Sequence, residues 1–152
     1  MTDPTHEIKY TNYRNIPYHR LNPPWKYRVN GSGSFPIPGG RRLIMPEGVS
    51  SIAIKNDAGV TLAVVYLTLV NSFPGYCYNG PNGVPDLPVF MEPAIPHDIL
   101  NQLMAEGLLP KVNANTADFQ FRHEVMNNGA GWLFARLSWR AVRTYQKLTK
   151  GA

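Results

Sequence analysis

"VSSIAIKNDAGVTLAVVYLTLV", residues 49–70, places two apolar stretches on either side of a short polar segment. The stretches are rich in valine, isoleucine and threonine, which favour β-strands. Asn56 and Asp57 open the segment between them and Gly59 ends it, a composition typical of a turn between antiparallel strands. We therefore predict a β-hairpin in the amino-terminal half of the chain.

The sequence before the hairpin predicts one further strand and an extended arm. "WKYRV", residues 25–29, alternates as a short strand does, whereas "GSGSFPIPGG", residues 31–40, has the composition of a loop. Residues 1–24 carry tyrosines, prolines and charges without a period that would build a core, so we expect an extended arm. Such an arm is either a disordered terminus or a segment that docks on a neighbouring subunit.

The sequence after the hairpin predicts a loop and then helices. Residues 76–95 are rich in glycine and proline and are interpreted as the loop. A helix follows from Pro96, which suits a first turn, to Gly107, which suits a helix stop. The fold predicted from these elements is α+β, with a small antiparallel sheet followed by three helices. We divide the chain into an extended arm at 1–24 and a single domain at 25–150, with strands at 25–75, the loop at 76–95 and helices at 96–150.

Two more helices complete this prediction. The second lies within residues 113–129, with Asn115 or Thr116 as its cap, and the third extends from about residue 131 to residue 150. Apolar residues at helical spacing predict the buried faces. These residues are Ile99, Leu103 and Met104 in the first helix, Phe119, Val125 and Met126 in the second, and Leu133, Leu137, Ala141, Tyr145 and Leu148 in the third.

Composition restricts the classes of protein that the chain can belong to. The formal charge of +5 and a pI near 9.5 favour anionic partners, namely nucleic acid, lipid head groups or an acidic protein surface. The single cysteine, Cys77, excludes an intramolecular disulfide. The longest apolar stretch is far shorter than the ~18 residues of a membrane span, so we expect a soluble protein without a secretion signal.

Four cations in the third helix form a second stripe beside Trp132 and Trp139. This combination is found in helices that bind phosphate-rich surfaces, and a solvated outer face is the simpler alternative. The residues that would contact an anionic surface are Arg136, Arg140, Arg143 and Lys147.

A His-Asp pair at the start of the first helix predicts a catalytic site. His97 and Asp98 point about 100° apart on a helix, so each can address a different partner. His97 would act as a general base, because imidazole titrates near neutral pH, if a carboxylate fixes its other nitrogen. Asp118, early on the second helix, is the candidate carboxylate. In a purely structural alternative, Asp98 only stabilises the helix start and His97 bonds to a carbonyl.

The loop before this helix offers oxygen atoms to a cation. Calcium takes six to eight oxygen ligands, including backbone carbonyls, and glycine lets carbonyls turn inward. The candidate calcium ligands are Asp98, Tyr78, Gly80 and Asn82. Other chemistries have less support, because His123 lacks a second ligand at metal spacing and Cys77 lacks an evident base.

From about Lys26 to Tyr145, the chain resembles a family of tailed-phage and prophage proteins whose function is not known. The resemblance rests on "GYCYNGPNG" at 75–83, "HDILNQLMAEGLLP" at 97–110, "AD" at 117–118 and the basic aromatic helix "WLFARLSWRAVRTY". It implies a phage protein, made in the host cytoplasm and assembled into the virion. Other phage structural proteins are then the expected partners, and a phospholipid membrane, nucleic acid and a second copy of the chain stay open as further partners.

A second and more distant resemblance is to the phospholipase A2 superfamily, in particular to the disulfide-free type of parvovirus capsids. The loop residues Tyr78, Gly80, Pro81 and Asn82 and the helix residues Ala94, His97 and Asp98 carry it. It implies that His97 activates water and that Asp118 orients His97. It also implies that Asp98 and the loop carbonyls hold calcium, which polarises the ester carbonyl.

The chain departs from both patterns at two positions. Asn101 stands where both families usually have tyrosine, and Asn79 stands where the phage family usually has aspartate. Two hypotheses follow. The first is a calcium-dependent hydrolase of lipid esters that helps phage material cross a membrane. The second is a non-catalytic virion protein of the capsid, tail or connector, which docks through its arm and basic helix.

Overall fold

The computed structural model describes residues 5–9, 27–29, 31–56, 58–78, 88–129 and 131–150. Within these residues, seven strands precede three α-helices, so the predicted α+β class is confirmed. The strands are β1 (Thr5–Lys9), β2 (Tyr27–Arg28), β3 (Gly33–Pro36), β4 (Ser51–Lys55), β5 (Thr61–Tyr66), β6 (Leu69–Ser72) and β7 (Cys77–Tyr78). The helices are α1 (Pro88–Ala105), α2 (Ala114–Asn127), which follows a 3-10 turn at Lys111–Asn113, and α3 (Trp132–Lys150).

The predicted hairpin is formed by β4 and β5, which pair antiparallel. Asn56 organises the turn, because its side-chain oxygen accepts hydrogen bonds from the backbone N–H groups of Ala58 and Val60, both at 3.0 Å. Gly59 has a φ of +80°, a left-handed conformation that a residue with a side chain rarely adopts. Asp57, the other predicted turn residue, lies outside the described residues.

The larger sheet has five strands in the order β1-β4-β5-β6-β3. Neighbouring strands among β4, β5, β6 and β3 pair antiparallel, whereas β1 pairs parallel to β4 along its whole length. β1 belongs to the segment 1–24 that was predicted to be an extended arm. The described part of that arm is therefore extended, and it pairs within its own chain; residues 1–4 and 10–24 lie outside the described residues.

The prediction of a loop across residues 31–40 is wrong for β3. Its Phe35 is buried in the core, and this burial stabilises a strand that the neighbouring glycines and prolines do not favour. Pro36 is tolerated because β3 is an edge strand, and on its outer side no described strand requires a hydrogen bond from the backbone. A separate small sheet joins β2 to β7, so residues 77 and 78 are also strand rather than loop.

The first helix begins earlier than predicted. α1 starts at Pro88, so the predicted loop at 76–95 is wrong for residues 88–95, and Pro93 and Pro96 lie inside the helix. Phe90 and Ala94 are buried on this additional segment, and their packing compensates for the hydrogen bonds that the prolines cannot make.

The predicted end of α1 is confirmed. Gly107 has a φ of +75°, and its N–H donates to the Met104 carbonyl at 3.1 Å. The N–H of Leu108 donates to the Leu103 carbonyl at 2.9 Å, which completes a Schellman motif. Gly107 therefore reverses the chain toward α2.

The core lies between the larger sheet and α1. It joins sheet residues such as Ile52 and Val65 to Ile99 and Leu103, which were predicted to be buried. A second cluster holds the helices together and consists of Phe90, Phe121, Val125 and Val142, with Met126 packed against it. The predicted caps Asn115 and Thr116 lie inside α2, which begins at Ala114 with Asn113 before it.

The predicted buried stripe of α3 is wrong. Leu137, Tyr145 and Leu148 are 57%, 38% and 81% exposed, whereas Val142 is fully buried. The side chain of Leu133 lies outside what the structure describes. The helix carries two apolar faces, and the one that packs against α2 is the face of Val142. Within the described residues, no helix has the length and apolarity that crossing a membrane requires.

Candidate functional site

The structure brings together His97 and Asp118, which are 21 positions apart in the sequence. α1 carries the histidine and α2 carries the aspartate, and the packing of these helices places His97 Nε2 2.7 Å from Asp118 Oδ1. Both side chains are buried, with 3% and 2% of their surface exposed. The predicted contact is therefore confirmed, while the catalytic role of the pair stays a prediction.

The hydrogen bonds determine which nitrogen of His97 can accept a proton. A carboxylate only accepts hydrogen bonds, so the Nε2 that faces Asp118 carries the hydrogen. Nδ1 of the neutral ring then has the free electron pair. Asn101, one helical turn further along α1, places its Nδ2 3.1 Å from Nδ1 and 3.4 Å from Nε2. An amide that is almost equally close to both ring nitrogens lies over the face of the ring and not along the in-plane electron pair of Nδ1.

Arg143 of α3 is the second partner of Asp118. Its Nη1 lies 3.4 Å from Asp118 Oδ2, so the carboxylate is held by a ring nitrogen on one oxygen and by a guanidinium group on the other. Only 23% of the Arg143 side chain is exposed. The sequence grouped this residue with the outward basic stripe of α3, and the structure shows that it also contacts the interior.

Apolar groups surround the pair on the side of α2. The ring of Phe121 lies 5.3 Å from the His97 ring in a tilted arrangement, and Phe121 stacks on Phe90 at 6.2 Å. These rings fix the orientation of His97 and reduce the access of water to it. The Asp118 carboxylate is therefore placed in surroundings where its hydrogen bonds to His97 and Arg143 carry more weight than they would on the surface.

The candidate calcium ligands are only partly described. Asp98 is half-buried on α1, directly after His97, and Tyr78 is the buried last residue of β7. Gly80 and Asn82 lie outside the described residues. The part of the chain that is described contains no cluster of three or more His, Cys, Asp or Glu side chains that could hold a metal. The oxygen donors of the proposed set are nevertheless of the kind that calcium prefers.

Two other reactive groups lie apart from this pair. Burial raises the pKa of the Cys77 thiol, with a smaller opposing effect of Arg28, so the thiol is a poor nucleophile at neutral pH. Partial burial lowers the pKa of His123, and the guanidinium groups of Arg122 and Arg41 lower it further. His123 packs on Phe119, with ring centroids 4.4 Å apart, and we assign it a packing role.

The predicted basic residues of α3 line a groove of about 530 Å³. Arg136, Arg140 and Lys147 are exposed, and Arg143, which also lines the groove, contacts Asp118. Trp139 forms part of the wall, and the guanidinium group of Arg122 lies 5.1 Å from its ring centre. The structure thus places all four predicted cations along one side of α3.

Comparisons of the chain with protein-family models, with curated proteins and with solved structures found no match.

Proposed function

We propose that this chain is a phage hydrolase of lipid esters in which His97 is the general base and Asp118 orients it. The supporting observation is the 2.7 Å hydrogen bond between these two buried side chains. A histidine whose one nitrogen is bonded to a carboxylate keeps its other nitrogen available as a base, and this arrangement is shared by many hydrolytic sites.

The protein residues would divide the chemical work between them. A water molecule bound at His97 Nδ1 would transfer a proton to that nitrogen while its oxygen attacks the ester carbonyl. Asp118 would hold the imidazolium that forms, and the proton would pass to the leaving alkoxide when the tetrahedral intermediate collapses.

Calcium, when bound by Asp98 and the carbonyls of Tyr78, Gly80 and Asn82, would polarise the ester carbonyl and stabilise the developing oxyanion. The half-buried Asp98 next to His97 supports this assignment, since one helix turn would then carry both the base and a ligand.

The experiment is hydrolysis of a fluorogenic phospholipid by the purified full chain, with calcium and with EDTA. We expect calcium-dependent activity that falls at least about 100-fold in His97→Gln and in Asp118→Asn, the scale of a lost general base or of its orienting partner. His123→Gln is the matched control, because His123 lies on α2, the helix of Asp118, but packs on Phe119 outside the dyad. Circular dichroism and thermal unfolding establish that each variant is folded.

One observation favours a second function, a non-catalytic virion protein of the capsid, tail or connector. Asn101 stands where both resembled families usually have tyrosine, and its amide packs on the His97 ring at 3.1 and 3.4 Å from the two nitrogens. In this case the dyad joins α1 to α2 and performs no chemistry. A folded wild type without hydrolysis under any calcium concentration would contradict the hydrolase. Incorporation of the His97→Gln chain into purified particles at the wild-type level would then support the virion role.

A further inference from the structure

We propose that the outward face of α3 is a docking surface for an anionic lipid bilayer. The proposal goes beyond the hydrolase function and does not depend on it, because it uses no residue of the His97–Asp118 pair. It rests on two features of the described residues, an exposed apolar stripe and an adjoining cationic stripe.

The apolar stripe consists of Leu137, Ala141, Tyr145 and Leu148. These positions are spaced by three or four residues, so they lie along one side of the helix. Three of the four side chains are large and substantially exposed, with Leu148 at 81%. A helix of a water-soluble domain normally directs its broad apolar stripe into the core, and an exposed stripe of this kind indicates a partner.

The cationic stripe runs beside the apolar one. At about 100° per residue, Arg140 lies about 60° around the helix from Leu137, and both point away from the buried Val142. Arg136 and Lys147 are exposed on the same side as Arg140. The helix contains no aspartate or glutamate between residues 132 and 150, so no acidic side chain of α3 offsets these charges.

An anionic bilayer satisfies both stripes at once. Helices that lie in a membrane interface bury a stripe of leucine and aromatic side chains among the acyl chains and place lysine and arginine at the anionic head groups. The 530 Å³ groove along the cations would receive lipid phosphates. The phosphates of nucleic acid would bind the cationic stripe but would leave Leu137 and Leu148 of the apolar stripe in water.

The test is co-sedimentation of the full chain with large unilamellar vesicles in EDTA, which prevents calcium-dependent hydrolysis. Vesicles of 7:3 phosphatidylcholine and phosphatidylglycerol are compared with phosphatidylcholine alone. We expect binding to the anionic vesicles that weakens about 30-fold in Arg140→Gln/Lys147→Gln, because each cation near such a surface contributes about fivefold. Leu137→Ser/Leu148→Ser should weaken binding at least tenfold through lost burial.

Matched controls come from exposed residues elsewhere. Val112 is 63% exposed and Arg42 is also exposed, so Val112→Ser and Arg42→Gln remove the same kinds of group from another surface. Both controls, and also His97→Gln, should bind vesicles as the wild type does. The last result would hold whether or not the protein hydrolyses lipid, which separates failure of this proposal from failure of the hydrolase.

Several results would overturn the proposal. They are the absence of wild-type binding to anionic vesicles, binding that the two leucine substitutions leave unchanged, and equal losses in the controls. Binding to duplex DNA that depends on Arg140 and Lys147 but not on the leucines, without vesicle binding, would assign the face to nucleic acid. A dimer that Leu137→Ser/Leu148→Ser dissociates, again without vesicle binding, would assign it to a second copy of the chain.

Discussion

Removal of the Asp118 carboxylate should destabilise the protein by about 2–4 kcal/mol. Asp118→Ala removes a buried hydrogen bond to His97 at 2.7 Å, and hydrogen bonds to charged groups contribute about 1.5–3 kcal/mol each. The substitution also leaves the Nε2–H of His97 without its acceptor, at a cost of about 1–3 kcal/mol when water does not replace it. These two costs describe partly the same loss and are not added in full, since water that enters the space replaces part of the hydrogen bond, so we expect a total of about 2–4 kcal/mol.

The contact between Asp118 and Arg143 should contribute much less. It is 3.4 Å long, and the arginine is partly exposed, so we expect Arg143→Ala to cost less than about 1 kcal/mol. This variant is the matched control, since it removes the other partner of the same carboxylate. The comparison thereby separates the buried hydrogen bond from the longer ion pair.

The measurement is urea unfolding of the full chain, monitored by circular dichroism and tryptophan fluorescence. A double-mutant cycle with Asp118→Ala and His97→Ala should give a coupling free energy of about 1–3 kcal/mol, as is usual for residues in one hydrogen-bonded unit. Additivity of the two substitutions within about 0.5 kcal/mol, or a cost of Asp118→Ala no greater than that of Arg143→Ala, would refute the reasoning.

Three further predictions concern other parts of the molecule. The Cys77 thiol should react with a disulfide reagent at least about 100-fold more slowly in the native protein than in urea, because it is buried and its pKa is raised; equal rates would contradict its placement. Burial and the nearby Glu92 raise the pKa of Glu124, so this carboxyl destabilises the fold when it is ionised. Glu124→Gln should therefore raise the melting temperature at pH 7 by about 1–2 °C, and this gain should vanish below the ordinary pKa of 4.5. A gain that persists at low pH would exclude ionisation as its cause. Asn113→Ala should cost about 2–3 kcal/mol in urea unfolding, because the buried amide bonds to the N–H and carbonyl of Ile44 and to the Pro110 carbonyl; an exposed Asn115→Ala is the control, and equal costs would contradict the prediction.

Local patterns predicted the hairpin and the carboxyl end of α1. Asn56 with Gly59 predicted the turn, and Gly107 predicted the end of α1, because each such signal acts within a few residues. The alignment of β1 with β4 was not predictable, since it joins residues more than 40 positions apart and has no local signal. The strand at Phe35 was missed because burial in the core outweighs the loop composition around it.

In the candidate site too, contacts with a local signal were predictable, whereas contacts set by how the helices cross were not. His97 and Asp118 were paired from the spacing of two helices, and Asn101 is placed near His97 by its position one turn further along α1. The contact of Arg143 with Asp118 depends on how α3 crosses α2, which a single sequence does not reveal. The exposed stripe with Leu137 was assigned to the core for a related reason. Apolar spacing shows that a helix has a face to cover, but it does not show which face the domain covers.

The larger sheet ends in β1 on one side and in β3 on the other. β1 pairs along the whole of β4 at one edge. At the other edge, Pro36 has no N–H to offer, and the side chain of Gln120 donates hydrogen bonds to the carbonyls of Phe35 and Pro36 at 2.9 and 3.0 Å. The N–H and C=O groups of an open sheet edge can pair with a strand of another chain. Loss of the first nine residues by proteolysis would therefore make the apolar β4 the new edge strand, and we expect copies of the shortened chain to associate through it.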